Sequence, residues 1–259
     1  MVYYQHIELL RQDALAAYYY DRTWPMQNKI TAFFRSPRFL SYINRRRHIV
    51  YVAYIALYLP IFYLEEKLNH VGYLVSYLPL DDKIPFCEWF AIPYYLWEPY
   101  LFFTGFFLFY LHRERFKDYM RFLGWSFFTV VILYALFPNG QNLRPTSFAH
   151  DNFCVDIVKW TYARDTNTNV NPSLHVLGTM SAMFALWRVR SPKHMGWQVL
   201  SITVAAFICA STVFIKQHSI FDVITGVGLS ILFYFIIYRW RPARLAAKAE
   251  KSLLAEATK

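Results

Sequence analysis

Cysteine is scarce: Cys87, Cys154 and Cys209 are the three in a chain of 259 residues. None stands at a metal-ligand spacing, which excludes a cysteine-based metal framework. Cys209 falls inside an apolar run, where a free thiol packs as a small hydrophobe. Cys87 and Cys154 fall on one expected face, and the sequence leaves a disulfide between them open. Charge is scarce too, at 17% of residues against 56% hydrophobic and 20% aromatic. The charges collect between apolar blocks, so the length goes into membrane spans and no sizeable soluble domain fits beside them. Acidic residues are outnumbered 17 to 27, for a net charge of +10. The basic residues flank apolar runs, which reads as membrane topology and attraction to anionic lipid and not as a nucleic-acid partner. A secretory signal is not expected either. The first 45 residues have no long apolar core and carry scattered arginine, so the first span is expected to serve as the signal and stay in the membrane. There is no internal repeat.

What is present is a succession of apolar runs. Residues 1–47 are aromatic and basic, from Tyr18-Tyr19-Tyr20 to Arg45-Arg46-Arg47, and are expected to lie on the membrane as an interfacial helical segment. Spans are expected at about Ile49–Leu64, Trp89–Leu111, Tyr119–Phe137, Ser173–Trp187, Gly196–Ile215 and Ile220–Tyr238. Pro60 is placed at the interface, and residues 241–259 form a tail with the composition of an exposed helix. An even number of spans puts both termini on one side. That side carries 21 of the 27 Lys and Arg, so both termini are assigned to the cytoplasm. The expected fold is therefore an all-α, six-span helical bundle over residues 48–240. The segment from Pro138 to Pro172 has no apolar run and is expected to be a connector.

Three polar patches then share the outer face. They are Gln141-Asn142-Leu143-Arg144-Pro145, Asn171-Pro172-Ser173-Leu174-His175, and Ser211 through Asp222. His218 and Asp222 are four residues apart, one helical turn, so a carboxylate can hold one imidazole nitrogen and leave the other as a nucleophile. Arg144 offers a planar fork for two phosphate oxygens, Ser173 opens a helix whose amino-terminal end favours an anion, and Lys216 adds a point charge. His175 is placed to protonate a departing alkoxide. No metal and no cofactor are required, because Arg and Lys beside the two His and one Asp would repel a cation. Asn142 and the intramembrane Glu98, between Trp97 and Pro99, are further candidates on the substrate side.

These patches resemble the three signature motifs of the type 2 phosphatidic acid phosphatase superfamily over residues 138–226. Arg144-Pro145 resembles the first, Pro172-Ser173-Leu174-His175 the second, and Ser211 with His218 and Asp222 the third. The resemblance implies a metal-independent membrane lipid phosphatase with His218 as the phosphorylated nucleophile, Asp222 orienting it, His175 as general acid, and Arg144 and Ser173 on the phosphate. The lipid would be of the phosphatidic acid, phosphatidylglycerol phosphate or polyprenyl diphosphate type, held in the cell membrane with the site on the non-cytoplasmic face. Three positions depart from the pattern. Phe137 and Thr212 stand where the motifs carry cations, and Leu174 stands where the second motif carries Gly. Pro-Ser-Leu-His is similar to the branch that includes inositol phosphorylceramide synthases, so transfer of a phospho-headgroup between lipids stays open, as does a silent lipid-phosphate-binding protein. The oligomeric state stays open as well.

Overall fold

The computed structural model describes residues 47–68, 72–189 and 195–245, with 32 and 36 besides. The expected interfacial segment 1–47 falls almost wholly outside these residues, as does the tail beyond residue 245. The chain divides into two units, Met1–Ile49 and Val50–Lys259, and the helices and strands numbered here all belong to the second.

The elements in order are α1 (Ala53–Leu68), β1 (Leu74–Val75), α2 (Ala91–Tyr95), α3 (Trp97–Leu111), α4 (Arg113–Leu136), β2 (Asn139–Gly140), α5 (Phe153–Arg164), α6 (Leu174–Trp187), α7 (Met195–Phe214) and α8 (Ile220–Phe235). A π-helical turn, Ile236–Trp240, continues α8. Four helical stretches among the described residues are long and apolar enough to cross a membrane: His48–Lys67, Arg113–Leu136, Met195–Phe214 and Ile220–Leu245.

The other two expected spans take different forms. Residues 89–111 are divided near Leu96, between α2 and α3. Pro99 has no N–H to give the carbonyl of Tyr95, so the ladder is interrupted at that point. The second departure is α6, of 14 residues, which is only about 21 Å long against a hydrocarbon core of about 30 Å. It is almost wholly buried from Leu174 to Ala185, because α3, α4, α7 and α8 all pack on it. Small residues make this possible. A Cβ on Gly178 would lie 2.8 Å from Trp97 Nε1 and 3.1 Å from Leu101 Cδ1, so α3 can approach only a glycine there.

Pro60 lies inside α1 and not at its end, and the helix runs on to Leu68. The expected connector 138–172 carries α5, whose buried face is Cys154, Val155, Val158 and Thr161. Asn152 caps it, accepting from the Val155 N–H at 3.0 Å. The fold is not purely helical either, since β1 pairs in parallel with β2 and Gly140 bridges to Thr168. A side chain at Gly140 would come within 2.8 Å of both the Tyr73 ring and the Asn167 carbonyl, so this junction of three segments closes only on glycine. All three cysteines are free thiols.

Candidate active site

The site is built at the start of α8. Ser219 caps the helix, and Asp222 completes a capping box by accepting from the Ser219 N–H at 2.8 Å. Asp222 is fully buried. Its other oxygen accepts from the hydroxyl of Ser76, which follows β1 and lies 146 residues earlier in the chain. The β1–β2 pairing holds Ser76 there, with its N–H bonded to the Gly140 carbonyl at 2.7 Å. His218 Nδ1 stands 3.4 Å from Asp222 Oδ2, an approach not yet closed into a hydrogen bond. The backbone of the turn is fixed from α7, with the N–H groups of Gln217 and His218 donating to the Thr212 carbonyl at 2.9 and 3.0 Å.

A second carboxylate underlies the first. Asp81 is fully buried and accepts from the Ser219 hydroxyl at 2.6 Å, the Ile220 N–H at 2.8 Å and the Leu78 N–H at 2.8 Å. Lys216 completes this clasp. Its backbone is left-handed, with φ of 55°. Its ammonium donates to the carbonyls of Asp81 and Ile84 at 2.8 and 2.6 Å, so the charge anchors the 81–84 turn. Burial holds its pKa below the usual lysine range.

His175 faces His218 across the start of α6, with ring centroids 5.6 Å apart and the rings edge to face. Tyr94 and Trp97 pack against the His175 ring at centroid distances of 4.5 and 4.4 Å. Ser173 is the cap of α6 and is fully buried. Its N–H donates to the Asp222 carbonyl at 3.2 Å, which ties the second patch directly to the third. Asn139 prepares the entry to α6, accepting on its side-chain oxygen from Val170 N–H at 2.9 Å and Asn171 N–H at 2.7 Å.

Arg144 comes from the first patch and lies on the 162–166 segment. Nη1 donates to the carbonyls of Tyr162 and Asp165 at 3.3 and 3.1 Å. Nη2 donates to the Thr166 carbonyl and to Gln217 Oε1, both at 2.6 Å. Its guanidinium stacks on the Tyr162 ring at 4.5 Å, and Nε is buried without a partner among the described residues. Among the described residues no carboxylate pairs with it. Burial lowers its pKa. Asp165 nearby is accessible yet deep in the protein. Desolvation first, and the charge of Glu66 second, raise its pKa to about 6. Gln217 links the two, because Nε2 also reaches Asp165 Oδ2 at 3.4 Å.

The structure thus brings His218, Asp222, His175 and Ser173 together. It places Arg144 one residue away, through Gln217. Lys216 is committed to the 81–84 turn. Asn142 is exposed and accepts from Tyr73 Oη at 3.0 Å. Glu98 is exposed in the first turn of α3 and makes no ion pair with Arg144 or Lys216 among the described residues; its neighbour Trp97 faces His175 instead. Sequence reasoning missed Ser76, Asp81, Tyr94, Trp97 and Asp165. The Ser-x-x-Asp spacing at 219–222, a capping signature, is a sequence signal that could have drawn attention to this helix start. Among the described residues no three His, Cys, Asp or Glu side chains are grouped as a metal site.

Neither the curated proteins nor the solved structures yield a significant match to this chain. The family model of the PAP2 superfamily matches residues 123–246, from the middle of α4 past the end of α8. The match takes in Arg144, Ser173, His175, His218 and Asp222, and leaves Ser76, Asp81, Tyr94 and Trp97 before it. The stretch that holds both histidines, the buried aspartate and the arginine is thus similar to the PAP2 superfamily over 124 of the 259 residues.

Proposed function

We propose that the protein is an integral membrane phosphatase that cleaves the phosphate ester of a lipid through a phosphohistidine. The observation that carries this reading is the disposition of His218, with Nδ1 turned toward a buried carboxylate already held by Ser76 and the Ser219 N–H, and its ring facing His175. Nε2 is then the nitrogen available for attack. In the first step it bonds to phosphorus while the bond to the lipid oxygen breaks, and His175 gives its proton to that oxygen. In the second step His175 takes a proton from water, the hydroxide attacks phosphorus, and inorganic phosphate leaves with His218 restored. Arg144, whose bonds among the described residues all go to neutral acceptors, neutralises the transferring group. Asp222 settles the imidazolium, and the 3.4 Å approach closes as that charge develops.

The same reading takes α2–α3 and α6 as spans beside the four long helices, for six spans over residues 48–240. Both termini are then cytoplasmic, with the site on the other face of the cell membrane. The substrate is a lipid phosphate or diphosphate drawn from the bilayer.

One observation favours a second reading, in which an alcohol replaces water. With Lys216 bonded to two carbonyls, Arg144 is the cation left for the phosphate among the described site residues. Asp165 and Glu66 lie on the same side, and Glu66 bonds Thr166 and Asn169. That balance suits a singly charged phosphodiester better than a dianionic monoester. Exchange of a phospho-headgroup between two lipids, with little free phosphate, would mark this reaction.

The test is phosphate release by purified protein from a panel of lipid mono- and diphosphates, in buffer with a chelator, with His218→Ala alongside. Release that survives the chelator and drops to background in the variant is expected. Substantial release by His218→Ala would overturn the assignment.

A further inference from the structure

The Ser76 hydroxyl that holds Asp222 has a second partner. Asn171 Nδ2 lies 3.3 Å from Ser76 Oγ, and the Thr225 hydroxyl lies 2.9 Å from Asn171 Oδ1. A row of side chains therefore runs from Thr225 through Asn171 and Ser76 to Asp222, and ends at His218 Nδ1. Separate parts of the chain supply it: the arm after β1, the entry to α6 and the first turns of α8. The backbone of Asn171 is fixed independently of the row. Its N–H donates to Asn139 Oδ1 at 2.7 Å, and its carbonyl accepts from Asn139 Nδ2 at 2.9 Å. Asn139 is the first residue of β2, and β2 pairs with the strand that leads into Ser76. One ladder thus sets Asn171 and Ser76 against each other.

The protons of the row have one consistent arrangement. An ionised Asp222 only accepts, so Ser76 spends its single proton on it. Ser76 Oγ then accepts on its other side, which requires a donor there, and Asn171 supplies one from Nδ2. That orientation turns Asn171 Oδ1 toward Thr225, whose hydroxyl can donate. Thr225 Oγ1 is also 3.0 Å from the carbonyls of Phe221 and Asp222, so its partners among the described residues are all acceptors. At the far end Asp222 receives the Ser76 hydroxyl and the Ser219 N–H, and the proton of His218 that matches it is the one on Nδ1. Take Asn171 away and the Ser76 hydroxyl is free to turn. Asp222 then keeps the Ser219 N–H as its one fixed donor among the described residues. Hydrogen bonds in such a row polarise one another, so the effect passes beyond the residue that Asn171 touches.

We infer that Asn171 is a positioning residue: through Ser76 it keeps Asp222 an acceptor, and so holds the His218 proton on Nδ1 and leaves Nε2 bare for attack. Its use rests on the proposed phosphohistidine reaction. Its existence rests on the row of bonds alone, and the two are tested separately.

The full chain is labelled with nitrogen-15 in its histidine rings and placed in phosphatidylcholine nanodiscs, in mildly alkaline buffer where an ordinary histidine is neutral. The chain has eight histidines, and the signals of His218 are those absent from His218→Ala. Wild-type His218 is expected to carry its proton on Nδ1. Asn171→Asp keeps the shape of the side chain but loses the donor, and its carboxylate competes with Asp222 for the Ser76 proton. In Asn171→Asp and Asn171→Ala the share of His218 protonated on Nε2 should rise several-fold. Phosphate release should show a several-fold lower kcat with KM little changed, a split that a general loosening of the fold does not give. Thr225→Val deletes the last hydroxyl of the row and should move the His218 signals the same way by less; it decides the matter should neither Asn171 variant fold. Unchanged His218 signals in the variants that fold would overturn the inference, and so would a wild-type His218 with its proton on Nε2. The spectrum needs no turnover. Signals that move as expected in a protein that releases no phosphate would uphold the role of Asn171 and overturn the phosphatase reading instead.

Discussion

Ser76→Ala removes one hydroxyl and tests whether the arm before α2 belongs to the reaction centre. In the structure Asp222 is fully buried and has two formed hydrogen bonds, from the Ser76 hydroxyl and from the Ser219 N–H at 2.8 Å, with His218 Nδ1 approaching at 3.4 Å. Hydrogen bonds to ionised groups contribute about 1.5–3 kcal/mol, and 1.36 kcal/mol is tenfold in rate, so full transmission to the barrier lowers kcat by about 10- to 160-fold. The Ser219 bond and the capping box survive the change, so the carboxylate keeps its place and loses part of its alignment. The expectation is the lower end, about tenfold in kcat with KM little changed, and a larger loss in Asp222→Asn. The assay is steady-state phosphate release from the best lipid of the panel, with a thermal melt in detergent to separate misfolding from mistuning. A Ser76→Ala protein with kcat within about twofold of wild type, while Asp222→Asn is impaired, would refute the role given to Ser76.

The same geometry carries three further expectations. Asp165 has its pKa raised from 3.8 to about 6, so the folded protein holds that proton more tightly than the unfolded chain does. Stability should therefore fall as pH rises between those values, and Asp165→Asn should flatten the slope in melts taken across the range. Lys216→Met removes two bonds to the carbonyls of Asp81 and Ile84 and should lower the melting temperature and kcat together. A selective rise in KM without loss of stability would instead show Lys216 on the substrate. Gly178→Ala drives a methyl to 2.8 Å from Trp97 Nε1; overpacking of this kind costs about 1–3 kcal/mol, and kcat should fall as the wall against His175 moves.

The long apolar runs made four helices readable in the sequence, because composition alone decides whether a helix can cross a membrane. The pairing of His218 with Asp222 was readable for a local reason, since four residues make one turn. Ser76 and Asp81 were not, because they act across 146 and 138 residues from short turns with no periodic signal. α5 was hidden for another reason. Its buried face is small and its outer face mixes Phe153 and Trp160 with Asp156 and Lys159, so no apolar run marks it. Lys216 shows the limit of counting charges. Its position beside His218 suggested a phosphate ligand, but its left-handed backbone accompanies a side chain bonded to the 81–84 turn. Glu98 and Trp97 make the same point in reverse, since adjacent residues on a helix look in different directions.

The bonds from Ser76 and Asp81 to the start of α8 also set an order of events during synthesis. Neither early residue has its partner until α8 has left the ribosome and entered the bundle. A nascent chain that stops short of Gln217 lacks both His218 and Asp222, so it holds the receptor half of the centre without the proposed nucleophile. Truncation before Gln217 should therefore leave a chain without hydrolytic activity, and supplying residues 217–245 as a separate polypeptide is the natural way to ask whether the two halves can find each other in the membrane.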